Sequence, residues 1–200
     1  MMYQSVSLRV LWLYKPSFLW TVLFCIGASV LTQAQNLYTS SSSEVKFFSS
    51  TPLEDIEAVN KASQSMLNGV TKEIAVKVPV KSFVFPKSLM QEHFNENYME
   101  SDKYPYAIFK GKINEAIDFT KPGTYDVSAT GKLNIHGVER DQTLKGKLTV
   151  QSGKALLDAA FDVLLVDHKI KVPEVVFAKI AEKIAVTTHF VYVPYEKKAQ

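Results

Sequence analysis

Between Leu89 and Ile113 the chain reads LMQEHFNENYMESDKYPYAIFKGKI, a stretch crowded with groups that could do chemistry. Three kinds are conceivable: a metal site on Glu92, His93 and Glu96, acid–base work by Glu96 and Glu100, and a nucleophilic Ser88 served by His93. The spacing supports none of them. On a helix Glu92 and Glu96 share a face, but His93 lies about 100° round from Glu92. The four histidines, His93, His136, His168 and His189, include no H-x-H or H-x-x-x-H pair and no H-E-x-x-H. Glu96 and Glu100 stand at the i, i+4 spacing of an ordinary helix surface. Ser88 has no orienting carboxylate at hand, and no G-x-S-x-G or phosphate-binding glycine loop occurs. A glycosidase is the one enzyme class that spacing leaves open, because its two carboxylates need not be close in sequence.

What remains is apolar. Phe83, Phe85, Leu89, Met90, Phe94, Tyr98, Met99 and Phe109 surround the polar stretch. Two fates are open to them. They could plug one end of the core, or they could line a cavity, since methionine and aromatic side chains adapt to flexible apolar ligands. With His93 and Tyr104 they form the candidate ligand-contacting set. Tyr104-Pro105 stops the helix and turns the chain into the next strand.

The elements that position this stretch have period two. Tyr125, Val127, Ala129, Gly131, Leu133 and Ile135 point one way and polar neighbours the other, which is a half-buried strand. Leu144 to Val150, Ile74 to Val80 and Ile184 to Tyr192 repeat the pattern. Ala155 to Val166 is apolar on both faces in places, which predicts cover on both sides. Turn signals separate the runs at Asn68-Gly69, Lys121 to Gly123, His136-Gly137 and Ser152-Gly153. His136 and Gly137 read as turn residues; His168 and His189 read as surface or strand residues without a role. Two segments break the period. Pro86 opens one, with Leu89, Met90, His93, Phe94 and Asn97 on one helical face. Pro173 opens the other, with Val176, Phe177, Ile180, Ala181 and Ile184 in line. Residues 53–67 fit either a helix or a strand. A meander of about eight strands has two usual solutions, a sandwich or a closed antiparallel barrel; closure removes both sheet edges and Gly111, Gly131 and Gly146 suit tight bending or close approach, which favours the barrel.

The N-terminus reads as an export signal. Arg9 and Lys15 precede the apolar run from Phe18 to Leu31, too short for a span of about 20 residues. TQAQ follows, which predicts cleavage after Ala34 and a periplasmic or extracellular location. Cys25 follows Phe24, against lipidation. Removing Arg9 and Lys15 from the 23 basic residues leaves 21 against 20 acidic ones, so the mature chain has no charge bias toward nucleic acid. Cys25, Trp12 and Trp20 leave with the signal, and thiol chemistry leaves with them. Residues 35–43, QNLYTSSSS, read as a polar leader, and the domain is expected from residue 44 to residue 200.

The run HFNENYMESDKYPYAIFKGKI, with GKLNIHGVERDQTLKGKLTV at Gly131 to Val150 and VKFFSSTPLEDIEAVN at Val45 to Asn60, resembles the YceI-like family in the order and spacing of its motifs. The likeness covers about residues 44–193. It implies an all-β, antiparallel, eight-stranded lipocalin-like barrel with one or two short helices at its mouth. It implies no enzyme and no cofactor, but a long-chain apolar ligand in the interior: a polyisoprenoid, an isoprenoid quinone or a fatty lipid. Residues 53–67 then resolve toward a strand, and Leu89 to Tyr104 becomes the lid and mouth. Members of the family often carry Arg-Asp before the histidine and an arginine after it. Here Gln91-Glu92 and Asn95 stand in those places, which argues against a pyrophosphate head and leaves a neutral or quinone-like lipid. The partners expected are that lipid and at most a second copy of the chain as a homodimer, with no nucleic acid and no membrane span in the mature chain. The alternative is a barrel filled by its own side chains that acts as a structural or interaction protein of the cell envelope.

Overall fold

The computed structural model describes residues 36–172 and 180–196. The expected signal segment with its expected cleavage site after Ala34, residues 173–179 of the expected second helical segment, and the last four residues lie outside the described residues. Of that second segment, Ile180 and Ala181 are non-helical and Ile184 belongs to a strand.

Ten strands are present: β1 (Leu37–Ser50), β2 (Asp55–Asn60), β3 (Gln64–Asn68), β4 (Glu73–Pro79), β5 (Phe83–Val84), β6 (Tyr106–Ile113), β7 (Gly123–Ile135), β8 (Val138–Gln151), β9 (Lys154–Leu164) and β10 (Lys183–Pro194). They make eight staves. β2 and β3 pair with opposite halves of β1 in one continuous antiparallel register, so they are a single strand interrupted at residues 61–63. β4 and β5 are likewise two pieces, separated by a 3-10 turn at Val80–Ser82. All neighbours are antiparallel, and β1 pairs with β10 to close the ring. Closure shortens the free sheet edge to β5 and the start of β2, which removes most of the usual template for aggregation. The predicted barrel is therefore present, and within residues 53–67 the strands β2 and β3 stand in place of the alternative helix.

Alternation decides which residues fill it. Val127 and Leu133 on β7, Leu148 and Val150 on β8, and Phe190 and Tyr192 on β10 are buried, while Asp126, Thr130, Lys132 and Lys147 are exposed. The hairpins sit where the turn signals lie. Ile135 pairs with Val138 across the two-residue turn His136-Gly137, whose φ values of +52° and +72° match the type that follows strand twist. Gln151 pairs with Lys154 across Ser152-Gly153.

Two expectations differ from the structure. The polar leader is not a leader: Leu37 to Ser43 form the first half of β1. Its serines carry a pairing role that polarity hides. Ser43 Oγ donates to Ser63 O at 2.7 Å and Ser40 Oγ accepts from Ser65 N at 2.8 Å, so hydroxyls lace the seam where the β2–β3 strand is broken. Nor is β9 covered on both faces. Its outward residues Leu164 and Val166, just past its end, are exposed.

One end of the barrel is solid. Leu67, Leu148, Val150 and Tyr192 are buried there, and Phe119 stacks on Tyr38 at 5.3 Å from the loop that crosses this end. The Tyr192 hydroxyl donates to Ser65 Oγ, which passes its own hydrogen to Ala75 O at 3.0 Å. Burial raises the Tyr192 phenol pKa far above its ordinary value, against the opposing pull of Ser65.

Candidate functional site

The other end is hollow. A cavity of about 540 Å³ runs from the middle of the barrel to the end where β1, β4, β7 and β9 finish. Its origin is local. The inward positions here are small: Ala129 on β7, Gly146 on β8, Ala159 on β9 and Thr188 on β10. The last three stand side by side, since Gly146 pairs with Ala159 and Ala159 with Thr188. Two residues toward the solid end the corresponding positions carry Leu148, Leu157 and Phe190, and Leu157 and Phe190 form the floor of the cavity. Inward-facing Ala129, Ala159, Phe161 and Val186 are only half-buried, because they face open space and not neighbouring side chains.

A helical lid crosses the mouth. α1 (Ser88–His93) continues without a break into a π-turn, Phe94–Tyr98, in which Met99 N donates to Phe94 O five residues back at 2.9 Å. The wider turn brings Phe94, Tyr98 and Met99 to the cavity on one side. Such turns recur at functional sites. Phe94 joins Phe47, Phe83 and Phe85 in an aromatic cluster with ring centroids 5.0 to 5.6 Å apart. This cluster fixes the lid to β1 and β5. Aromatic pairs of this kind contribute about 0.5–1.5 kcal/mol each beyond their buried area. A second fastening lies across the mouth. Glu100 Oε2 is 2.8 Å from His136 Nε2, and His136 Nδ1 is 3.2 Å from the carbonyl oxygen of His168.

Of the candidate set, Phe83, Phe85, Leu89, Met90, His93, Phe94, Tyr98, Met99 and Phe109 line this cavity. Tyr104 does not. Its ring packs edge-on against His136 at 4.5 Å and over Gly137, where it supports the turn. Many wall residues lie outside the candidate set, among them Phe47, Ile56, Ala129, Gly146, Ala159, Phe161 and Val186. The signal that finds them is the run of small side chains at inward positions, which marks a hollow where large ones would mark a core.

Few polar groups reach the cavity. Ser49 Oγ accepts from Ala181 N at 2.9 Å. Glu54 and Lys87 pair with each other at the mouth, 3.1 Å apart. Burial raises the Tyr98 phenol. Gln91 and Asn95 serve the lid's own backbone: Gln91 Oε1 accepts from Phe85 N and Asn95 Nδ2 donates to Gln91 O. His93 is exposed on the lid. Among the described residues no three His, Cys, Asp or Glu side chains gather where they could hold a metal ion.

His168 departs from its expected surface position. It is 1% exposed, and Nδ1 sits 3.1 Å from Val138 O. Burial pushes its pKa below the ordinary imidazole value, against smaller opposing pulls from the Val138 carbonyl and Asp167. The neutral form therefore fits the fold. A group depressed in this way contributes stability above its unfolded pKa of about 6.5, and that contribution fades as pH falls below it toward the folded value. In urea melts the wild-type midpoint is expected to fall as pH drops from 7 to 5. His168→Asn keeps a donor near Nδ1, costs about 1 kcal/mol at neutral pH, and flattens that decline. Equal acid slopes in both proteins would assign the decline elsewhere.

Residues 31–192 match the model of the YceI-like domain. Three solved structures are similar in fold. The polyisoprenoid binding domain from Saccharophagus degradans is 14% identical, with a TM-score of 0.66 over 82% of this chain and 100% of that one. BcnA of Burkholderia cenocepacia is 17% identical, with a TM-score of 0.63 over 74% of this chain and 95% of that one. The YceI protein of Campylobacter jejuni is 14% identical, with a TM-score of 0.53 over 97% of this chain and 94% of that one. No curated protein matches the chain.

Proposed function

The chain belongs to the YceI-like domain family, and on that premise we propose that it is an exported, non-catalytic binding protein that holds one long-chain apolar ligand inside its barrel. The observation that carries this reading is the hollow: about 540 Å³ of space with an almost wholly apolar wall, open under an aromatic lid. That volume falls in the range of pockets that take a single small ligand, about 300–1,000 Å³. A structural barrel filled by its own side chains would continue the Leu148 and Phe190 pattern to the mouth, and this one stops halfway. The polyisoprenoid binding of a structural relative points to the same ligand class. The wall offers no arrangement of nucleophile and base, so holding is favoured over turnover.

The head group fits best when uncharged. Lys87, a cation lining the mouth, is neutralised by Glu54. Gln91 Oε1 and Asn95 Nδ2 are engaged within the lid, while Asn95 Oδ1 is buried with no hydrogen-bond partner among the described residues. A quinone-like or neutral lipid asks for little more than what is present. The N-terminal signal reading supports delivery to the periplasm or beyond, and among the described residues no helix is long and apolar enough to cross a membrane.

Binding driven by tail burial makes a quantitative prediction. Each added methylene contributes about 0.8 kcal/mol, or about fourfold in affinity. A series of straight-chain probes, read by displacement of a fluorescent reporter, is expected to climb at that rate and level off once the cavity is full. Affinity that ignores chain length would refute the reading. So would an organic extract of natively purified protein that holds no lipid, followed by no uptake of any added chain.

A further inference from the structure

The hollow end carries a second feature. Leu53, Val84, Leu89 and Val166 stand 67%, 65%, 59% and 74% exposed. They come from four separate elements: the β1–β2 turn, β5, α1, and the 3-10 turn Leu165–His168 after β9. Each is tied to the cavity by its chain neighbours. Glu54 follows Leu53, Phe83 and Phe85 flank Val84, Leu165 precedes Val166, and all four of those residues line the cavity, as does Leu89 itself. The apolar surface thus runs from the inner wall over the rim to the outside. Scattered single apolar residues need no explanation, but a group set around one opening marks a place of contact.

We propose that this rim docks on the surface of a lipid bilayer and that the ligand passes between membrane and barrel at that contact. The proposal rests on the reading of the cavity as a long-chain lipid site. Three observations favour a bilayer over a protein. The rim is a set of separate points on turns and short helices, and it offers no long exposed sheet edge: β5, which pairs on one side with β2, has two residues. Strand addition needs such an edge. A layer of head groups accepts separate points, since lipids flow around each of them. Next, three lysines of this end are compensated: Lys81 by Asp102, Lys87 by Glu54 and Lys103 by Glu100. Long lysine stems lie along apolar surface while their heads stay in water, and a compensated rim can settle on uncharged lipid. Last, a long tail in water is the costly state of the cargo. A mouth pressed to the bilayer lets the tail slide from hydrocarbon onto an apolar wall without crossing water.

The test is flotation with phosphatidylcholine vesicles. It compares the wild-type chain with Leu53→Asn/Val84→Asn/Val166→Asn, both prepared with the same N-terminus so that any leader contributes equally. None of the three positions lines the cavity. The variant is expected to bind vesicles at least tenfold more weakly, and to take a fluorescent long-chain probe from vesicles at least tenfold more slowly. Binding of the same probe as a monomer in water, below its aggregation threshold, is expected to be unchanged. Raising the salt is expected to leave wild-type flotation within twofold. Equal flotation of the two proteins, or none by either, overturns the docking surface whatever the probe shows. Self-association of the wild type that the variant loses, without flotation, makes a second copy the occupant and also overturns it. If neither protein binds the monomeric probe while only the wild type floats, the docking surface stands and the lipid-site reading fails.

Discussion

Replacing Ala159 with phenylalanine is expected to weaken binding of a long-chain probe at least a hundredfold and to leave the melting temperature unchanged or higher. Ala159 points inward from β9 between Gly146 and Thr188 on the neighbouring strands. It is half-buried despite facing the barrel interior, because the space before it is the cavity. A phenyl ring there fills volume that the ligand tail would use. A hundredfold loss is about 2.7 kcal/mol, the worth of three or four methylenes of tail at about 0.8 kcal/mol each. The ring meets apolar wall and gains roughly 1.5–3 kcal/mol by its own burial. Crowding a packed core costs about 1–3 kcal/mol, but this site is not packed. Affinity and stability therefore part company, which a merely damaging change would not produce. Probe titration and thermal melting of one protein preparation decide it. Unchanged affinity would place the tail somewhere other than this hollow. A melting temperature lower by more than a few degrees would mean that Ala159 is already in tight contact.

The same residues show what a sequence makes legible and what it withholds. The inward alternation on β7, β8 and β10 is a local property, because a strand's side chains must alternate whatever surrounds them. Strands and turns follow from it, whereas closure rests on the distant pairing of β1 with β10. The aromatic and methionine-rich lid is also local, since Leu89, Met90, His93 and Phe94 lie within one helical segment and reach the cavity together. The hollow is not local. Gly146, Ala159 and Thr188 come from three strands, and they open a cavity only because pairing sets them side by side. Tyr104 joins the candidate set but does not line the cavity for the same reason: its partners, His136 and Gly137, sit at the tip of another hairpin. The serines of residues 40–43 look like a solvated leader because their pairing partners, Ser63 and Ser65 on the broken strand and β10 at the far end of the chain, are distant in sequence. The apolar outer face near the end of β9 reads as buried when it belongs to an exposed rim. In each case the missing information is which strand stands beside which.

Glycine is the one place where the sequence states a contact before the neighbour is known. Gly131→Ala is expected to destabilise the protein by at least about 3 kcal/mol, the upper end of what overpacking costs. For a domain of this size that is a fall in melting temperature of about 6–12 °C. Gly131 pairs with Gly111 across β7 and β6. A Cβ on Gly131 would lie 2.2 Å from the carbonyl oxygen of Lys110 and 2.3 Å from the Cα of Gly111, closer than real Cβ atoms come to anything. Both are backbone atoms, so no side chain can rotate away. β6 would have to move as a strand, and in a closed ring each neighbour passes the strain to the next. Gly153→Ala is the control. It has a φ of +75° but nothing within 4 Å of its added Cβ, so its cost is only the left-handed backbone, about 1–2 kcal/mol. Urea and thermal melts of the two variants separate contact from conformation. A Gly131→Ala loss no larger than that of Gly153→Ala would mean that β6 and β7 do not approach as described. A loss at least twice as large would show that the bare backbone at this pair holds the ring closed beside the cavity, where a side chain on either strand would force the staves apart.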